Sequence, residues 1–289
     1  DRAAVANALG FAGLVEVAYD AVSSRDDAHE AAAVLAVMMT GLSRLATDLQ
    51  NWNTAEFAFI ELSDAYSSVS SIMPQKKNPQ ALEFAKAAAA QVTGALTAVL
   101  AASKNTSYSD VNDGVTSLNV PVLEAAGKSS ATLAVLDGVL ATMSVRPDVM
   151  AKAAADGYGT ATELADAIVR ETGLSFRKAH NIVGRVVREA IAAGRTAPQI
   201  TSGDIDAAAT ALFGAPLDIA PDAIRRALDP AANLASRTVT GGPAAGEIAR
   251  MQAARVQRLE ADVRLVSDTA ARVEAAGAAL LARARGYTA

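Results

Sequence analysis

The chain has 289 residues, enough for one large domain and a smaller one. Hydrophobic residues make up 51% of the sequence and aromatic residues only 4%, a composition that favours closely packed, alanine-rich helices over β-sheet. The formal net charge of -5 comes from mixed charges without a long Lys/Arg run, which argues against nucleic acid as a partner.

Residues that bind metals are scarce. The chain has no cysteine, and its two histidines, His29 and His180, are far apart, which excludes disulfides, thiolate ligands and a histidine-rich site. We therefore expect no metal and no other cofactor. The sequence shows neither a signal-peptide pattern nor an uninterrupted apolar segment of about 18 residues, which predicts a cytoplasmic protein without a membrane partner. Because a helical pattern is already present at Asp1, without an initiating Met, we expect further sequence upstream.

Apolar residues spaced alternately three and four positions apart predict long helices in the first half of the chain. One helix is predicted after the N-terminal signal that begins at Ser24, with a buried face formed by Leu35, Met38, Leu42, Leu45, Leu49 and Trp52. A second follows Pro79, and its predicted face consists of Leu82, Ala85, Ala89, Val92, Leu96 and Val99. A third is predicted over residues 116–143, with Pro121 in its first turn or at a bend.

The pattern changes near residue 147, where shorter helices begin. We place a domain boundary there, which gives a central helical-bundle domain, 1–147, and a C-terminal helical domain, 148–289. The last helix is predicted over residues 244–284 and carries an apolar seam for much of its length. Because a helix of this length needs a partner to cover its seam, the pattern favours a bundle formed by several chains.

Four polar residues of the helical segments are interpreted as structural. Thr160 and Glu163 have the spacing of a capping box at a helix start. His180 falls on a predicted apolar face and is interpreted as a core histidine rather than a catalytic one; that face comprises Phe176, His180, Val183, Val187 and Ile191. His29, near a helix start, is predicted to be a partly exposed packing residue.

Residues 63–79 form a connection without helical periodicity, far longer than the roughly two to eight residues typical between helices. The segment contains Ser63, Ser67, Ser68, Ser70 and Ser71. Lys76, Lys77 and Asn78 supply cationic and amide donors just before a predicted helix N-terminus, where the helix dipole favours an anion. This combination predicts a site for a carboxylate.

Residues 70–79, Ser-Ser-Ile-Met-Pro-Gln-Lys-Lys-Asn-Pro, resemble the signature loop of the fumarase, aspartase and argininosuccinate lyase superfamily, in its argininosuccinate lyase form. The resemblance covers most of residues 1–240 and continues in the segments 20–26, 42–46, 61–67, 161–165 and 176–180. It implies an all-α fold, with a long-helix bundle of the fumarase/aspartase type followed by a smaller C-terminal helical domain. It also implies a homotetramer with active sites shared between subunits, in which this chain holds the last of three site segments.

The resemblance also implies roles for single residues. In this family the first Ser of the pair, here Ser70, is taken as the general base that removes the Cβ proton of a succinyl group. Such a proton is weakly acidic, so its removal requires donors that stabilise an enediolate. The substrate-binding positions that carry over are Ser71, Met73, Gln75, Lys76, Asn78 and Tyr108. The implied substrate is a small dicarboxylate, and the implied reaction is loss of an amine to give fumarate.

Two departures from the family pattern bear on geometry and substrate. Val69 stands where the family has Gly, which adopts positive φ at little cost. Residues 108–116 replace a stretch that grips the substrate in argininosuccinate lyases, and they suggest Asp110, Asn112 and Asp113 as amine-side contacts. We therefore favour an aminopolycarboxylate substrate such as ethylenediamine-disuccinate (EDDS). The alternatives are argininosuccinate or adenylosuccinate cleavage, and a structural protein without activity.

Overall fold

A computed structural model describes residues 1–73 and 75–286, apart from the side chains of residues 113–116. The fold is all-α, as predicted. The helices are α1 (Arg2–Ala8), α2 (Ala18–Ser23), α3 (Asp26–Trp52), α4 (Gln80–Ser103), α5 (Asn112–Thr142), α6 (Pro147–Asp156), α7 (Ala161–Thr172), α8 (Phe176–Ala192), α9 (Ser202–Phe213), α10 (Pro221–Leu228), α11 (Pro230–Ser236) and α12 (Ala245–Gly286). The short strands are β1 (Ile60–Glu61), β2 (Ser68–Val69), β3 (Lys77–Asn78) and β4 (Ser144–Val145).

The chain forms two compact units, the first of which contains Asp1–Arg146. In this unit α4 packs along both α3 and α5. The start of α3 meets the end of α4, because His29 Nε2 lies 2.7 Å from Ser103 Oγ, and His29 is half-buried as predicted. At the opposite end Lys86 donates to Gln50. The three long helices therefore run up, down and up, as in an antiparallel bundle.

The predicted face of α4 is confirmed apart from Leu96, which is half-buried, and that of α3 is confirmed in part: Leu49 is buried, and Leu35, Met38 and Leu42 pack half-buried against the cores. In α4 the fully buried residues are Ala81, Leu82, Ala85, Ala89, Val92 and Val99. In α3 they are Ala32, Ala36, Met39, Ala46 and Leu49, whereas Leu45 and Trp52 remain 36% and 38% exposed. Small side chains let helix axes approach closely, so the alanine stripe of α3 faces the bundle and the larger residues flank it.

α3 and α4 are long and apolar enough, by length and composition alone, to cross a membrane; each has a most apolar window with mean hydropathy 1.3. Both helices contribute to the buried cores of the first unit. The central helices of folded bundles share this length and composition. α5 begins at Asn112, one turn before the predicted start, and Pro121 lies inside it.

The second unit, Pro147–Ala278, has a core of its own. α7, α8, α9 and α10 supply most of its buried residues, among them Leu164, Ile168, Ile182, Val186, Ile205 and Ile224. The capping box predicted for Thr160 and Glu163, at the start of α7, is wrong. The Thr160 hydroxyl donates to the Leu228 carbonyl, and no side-chain cap bond is formed. Glu163 is instead a buried carboxylate, held at 2.5 Å by both Arg170 and Arg237.

The predicted apolar face of α8 is confirmed only at Val183, which is buried, and Val187, which packs half-buried against the core, whereas the interpretation of His180 as a core histidine is wrong. The buried residues of α8 are Ala179, Ile182, Val183, Val186 and Ala190. Phe176 and Ile191 are 49% and 59% exposed, and His180 is exposed with its ring 6.0 Å from that of Phe176. The side of α8 that carries Ala179 and Ala190 faces the core, because these small side chains permit close packing of neighbouring helices.

α12 extends over 42 residues and contributes no buried side chain among those described. The larger residues of its predicted seam are all more than one-third exposed: Val256, Leu259, Val263, Val266, Val273 and Leu280. Within a single chain this helix therefore leaves an apolar surface in contact with solvent.

Candidate active site

The long connection between α3 and α4 contains a short β-hairpin. A 3₁₀ turn, Asp64–Tyr66, leads into β2, which pairs antiparallel with β3. Ser68 faces Asn78 and Val69 faces Lys77 across the ladder. Between the strands, Ser71, Ile72, Met73, Gln75 and Lys76 are exposed, Ile72 to 87%. We call the segment 68–78 the signature hairpin.

A second small ladder fixes the base of the signature hairpin to the bundle. β1 pairs antiparallel with β4, and the Arg146 amide donates to the Phe59 carbonyl at 2.9 Å. Ile60 and Leu62 flank Glu61 and are only 3% and 2% exposed. Buried apolar side chains on both sides of Glu61 hold this backbone in one position.

Val69 occupies an extended position in β2, where its side chain is 74% exposed. β-branched residues are favoured in strands, so this conformation costs Val69 nothing. The Gly-to-Val departure is therefore compatible with the hairpin in this conformation.

Ser70 stands at the end of β2 and is half-buried. Its Oγ accepts hydrogen bonds from the backbone N–H of Ile72 at 3.2 Å and of Met73 at 3.1 Å. The Ser70 amide donates to the Lys76 carbonyl at 3.4 Å and closes the turn. Two N–H groups directed at one oxygen stabilise negative charge on it, as the donors of an oxyanion hole do. The sequence pattern did not identify these two backbone donors.

The two lysines of the signature hairpin have different surroundings. Lys77 Nζ lies 2.6 Å from Asp64 and 3.0 Å from Glu61, and these hydrogen bonds, that of Asp64 first, raise the pKa of Lys77. The side chain of Lys76 is exposed and has no partner among the residues that the structure describes. Ser71 and Gln75 are exposed, Met73 is 43% exposed and Asn78 is half-buried. Lys76 is therefore the cation of this hairpin that remains available to an anion.

Tyr108 lies at the other end of the bundle. Its hydroxyl donates to Asp20 Oδ1 at 3.0 Å, and this bond raises the pKa of Tyr108. Asp110 is exposed nearby in sequence, and Asn112 is the first residue of α5. The side chain of Asp113 lies outside the described residues.

One chain does not bring all the predicted site residues together. The signature hairpin precedes the start of α4, and Tyr108 follows its end. α4 has 24 residues, so at about 1.5 Å per residue its ends are about 36 Å apart. The residues of the signature hairpin and those around Tyr108 belong to two separate surfaces of the first unit.

Sequence reasoning missed the ionic contacts of Glu61. Its Oε2 accepts from Arg146 Nη2 at 2.6 Å, and its Oε1 accepts from Lys77. The bond from Lys77 first, then that from Arg146, lowers the pKa of the Glu61 carboxyl. Glu61 and Arg146 lie 16 and 69 positions from Lys77 in sequence, so local spacing gives no signal for these contacts.

Comparison with known proteins places both units in context. The family model described as "Lyase" matches residues 1–94, and the model described as "Argininosuccinate lyase C-terminal" matches residues 158–235. Argininosuccinate lyase of Methanococcoides burtonii is 40% identical over 254 residues, which are 87% of this chain and 50% of the relative. Argininosuccinate lyase 1 of Shouchella clausii is 37% identical over 260 residues, 90% of this chain and 52% of the relative. The chain thus spans about half the length of these relatives.

Solved structures give the same picture of the fold. The structure of EDDS lyase in complex with formate is similar with a TM-score of 0.90 and 34% identity, over 97% of this chain and 56% of the other. A class II fumarase from Schistosoma mansoni has a TM-score of 0.57 at 15% identity, over 75% of this chain and 42% of the other, a likeness of fold alone.

Proposed function

The chain belongs to the argininosuccinate lyase family of the fumarase/aspartase superfamily, and we propose that it supplies the proton-abstracting element of a carbon–nitrogen lyase. The reaction is the reversible β-elimination of an amine from an N-substituted aspartate to give fumarate. The observation that carries the proposal is the turn at Ser70, whose Oγ accepts hydrogen bonds from two backbone N–H groups, beside Lys76, which has no partner among the described residues.

The proposed reaction divides into two steps. Ser70 Oγ, in its alkoxide form, takes the Cβ proton of the succinyl group, and the C–H electron pair moves into the adjacent carboxylate to give an enediolate. The Lys76 ammonium and the Asn78 amide donate to that carboxylate and lower the energy of its extra charge. The electron pair then returns to form the Cα=Cβ bond, the Cα–N bond breaks, and the amine leaves with its electrons and takes a proton from water, after which the hydroxide formed removes the proton from Ser70 Oγ. Ser71, Met73 and Gln75 complete the proposed binding surface of the hairpin.

For the substrate we propose an aminopolycarboxylate such as EDDS. The similarity to EDDS lyase over nearly the whole chain supports this choice. The proposed amine-side contacts, Asp110, Asn112 and Asp113, offer carboxylate and amide oxygens, which suit an ammonium group. A second candidate is argininosuccinate, favoured by the 37% and 40% identity to argininosuccinate lyases.

Two features of the chain support a multi-chain assembly. The separation of the signature hairpin from Tyr108 means that one chain presents two half-sites, and the exposed seam of α12 needs cover. We propose a homotetramer in which each active site combines residues of different subunits.

A fumarate assay of the full-length protein tests the proposal. We expect ultraviolet absorbance of fumarate to rise with EDDS and to rise more slowly with argininosuccinate. Ser70→Ala should lower kcat about 100- to 10,000-fold because it removes the general base. Ser68→Ala, which removes a hydroxyl from the same hairpin, serves as control and should retain activity. An unchanged kcat in Ser70→Ala would exclude Ser70 as the base, and faster turnover of argininosuccinate would reverse the order of the two substrates.

A further inference from the structure

The signature hairpin has a weak backbone connection of its own. Its ladder consists of two residue pairs, Ser68 with Asn78 and Val69 with Lys77. Two-stranded ladders of this size are at best marginally stable in water. Its outer face is open, because Val69 and Ile72 are 74% and 87% exposed. Something other than the ladder must hold the arm that carries Lys76 and Asn78.

Four charged side chains connect this arm to the bundle. We call them the Glu61 network: Glu61, Asp64, Lys77 and Arg146. Lys77 Nζ bridges Asp64 Oδ1 at 2.6 Å and Glu61 Oε1 at 3.0 Å, and Arg146 Nη2 binds Glu61 Oε2 at 2.6 Å. Glu61 lies in β1, next to the buried Ile60, and Arg146 directly follows β4 with its amide bonded to the Phe59 carbonyl, so the network ends on the β1–β4 ladder.

We propose that Lys77 and Glu61 are positioning residues for the lyase reaction, which fix the β3 arm of the signature hairpin and thereby hold Lys76 and Ser70 in register. This inference rests on the proposed function. Lys77 begins β3, and Lys76 directly precedes it with an exposed side chain that takes no part in the ion pairs of Lys77. The Ser70 amide is bonded to the Lys76 carbonyl, so a displaced β3 arm would carry the Ser70 turn with it.

The network is open to solvent, which sets the size and the salt dependence of its effect. Lys77 and Glu61 have 42% and 44% of their side chains exposed. Single exposed pairs contribute little, whereas a connected set of pairs with short contacts contributes more. Because exposed charges are screened at high ionic strength, the contribution of the Glu61 network to the stability of the hairpin should decrease in about 1 M salt.

Hydrogen exchange of the full-length protein tests the structural half of the proposal. In Lys77→Met we expect peptides covering residues 67–79 to exchange about five- to tenfold faster than in the wild type at low salt, and Lys77→Arg should stay near the wild type. Lys152→Met removes an exposed i,i+4 ion pair with Asp156 in the second unit and serves as the matched control. It should leave exchange of the hairpin unchanged.

Kinetics of the same variants test the functional half. In Lys77→Met kcat should fall about three- to tenfold, Glu61→Gln should behave similarly, and the double variant should be no worse than either alone. Unchanged hairpin exchange in Lys77→Met would overturn the proposal, and so would faster exchange with unchanged kcat. A wild-type protein that releases no fumarate would instead overturn the proposed function. The hydrogen-exchange experiment does not depend on activity, so it distinguishes this failure from failure of the positioning role.

Discussion

Gly138 shows how a single residue of α5 shapes the segment that leads to Ser70. A Cβ atom added at Gly138 would overlap the phenol of Tyr66. Tyr66 closes the 3₁₀ turn directly before β2, and it packs against the core of the first unit. Glycine inside a helix is unfavourable by about 1 kcal/mol relative to alanine. Glycine at position 138 therefore lowers the stability of α5 slightly but leaves room for the Tyr66 phenol to lie against the helix.

Gly138→Ala should consequently destabilise the first unit, whereas Gly127→Ala in the same helix should not. We expect the free energy of unfolding to fall by about 1–3 kcal/mol in Gly138→Ala because the Tyr66 ring is displaced. Gly127 has no atom near the added Cβ, so its substitution should raise stability by up to about 1 kcal/mol. Urea titrations followed by fluorescence of Trp52, the single tryptophan, measure both. Equal stabilities of the two variants would contradict the steric role of Tyr66.

Sequence reasoning at the residue scale succeeded where a motif specified the chemistry and failed where only spacing was available. The motif singled out Ser70, but the donors of Ile72 and Met73 depend on a turn that spacing does not encode. Glu163 had the spacing of a cap yet is buried between Arg170 and Arg237, which lie 7 and 74 positions away. A partner that distant in sequence cannot be read from local pattern.

At the scale of elements, helix existence was predictable and helix orientation was not always so. α4 buries the predicted stripe apart from Leu96, which is half-buried. In α3 and α8 the buried stripe is shifted toward alanines, which permit close packing, so only part of each predicted face is buried. The signature hairpin was predicted only as a segment without helix, since strands of two residues leave no periodic signal.

The start of α9 combines a helix cap with an ion pair and makes stability depend on pH. Asp204 accepts from the Thr201 amide at 2.8 Å in a capping box, and both of its oxygens bind Arg195, at 2.9 and 3.0 Å. The bond from Arg195, followed by those from Thr201, lowers the pKa of Asp204 from 3.8 to about 2. A carboxyl with a lowered pKa stabilises the fold above its unfolded pKa, and that stabilisation is lost as pH falls toward about 2.

Asp204→Asn should therefore lower the free energy of unfolding of the second unit by about 2 kcal/mol at pH 7. The difference from the wild type should shrink as pH falls from about 4 toward about 2, because the wild-type carboxylate becomes protonated there. Urea unfolding followed by circular dichroism at several pH values measures it. Asp262→Asn, which breaks an exposed pair with Arg258, is the control and should cost only about 0.3–0.5 kcal/mol. A pH-independent difference for Asp204→Asn would contradict the assignment.

At the scale of the whole molecule, the apolar surfaces that one chain leaves exposed explain why the sequence predicts candidate site residues but not how they come together. Only 28% and 22% of the most apolar windows of α3 and α4 are buried, and α12 buries none of its described side chains. These helices are apolar enough for a core that one chain does not complete. The motif could therefore identify candidate residues of a site, whereas the proposed meeting of the signature hairpin with Tyr108 requires an assembly that local sequence does not describe.

Mixing of inactive variants tests whether the signature hairpin of one subunit meets Tyr108 of another. A Ser70→Ala subunit retains Tyr108, and a Tyr108→Ala subunit retains the hairpin, so dissociated and reassociated mixtures should regain activity at about a quarter of their sites. Ser70→Ala mixed with Lys76→Met is the matched control. Both changes lie in one hairpin, so every site inherits one defect and activity should stay absent. Fumarate release in the first mixture alone is the expected result. Equal inactivity of both mixtures would mean that each chain forms its site alone, against the separation of about 36 Å along α4.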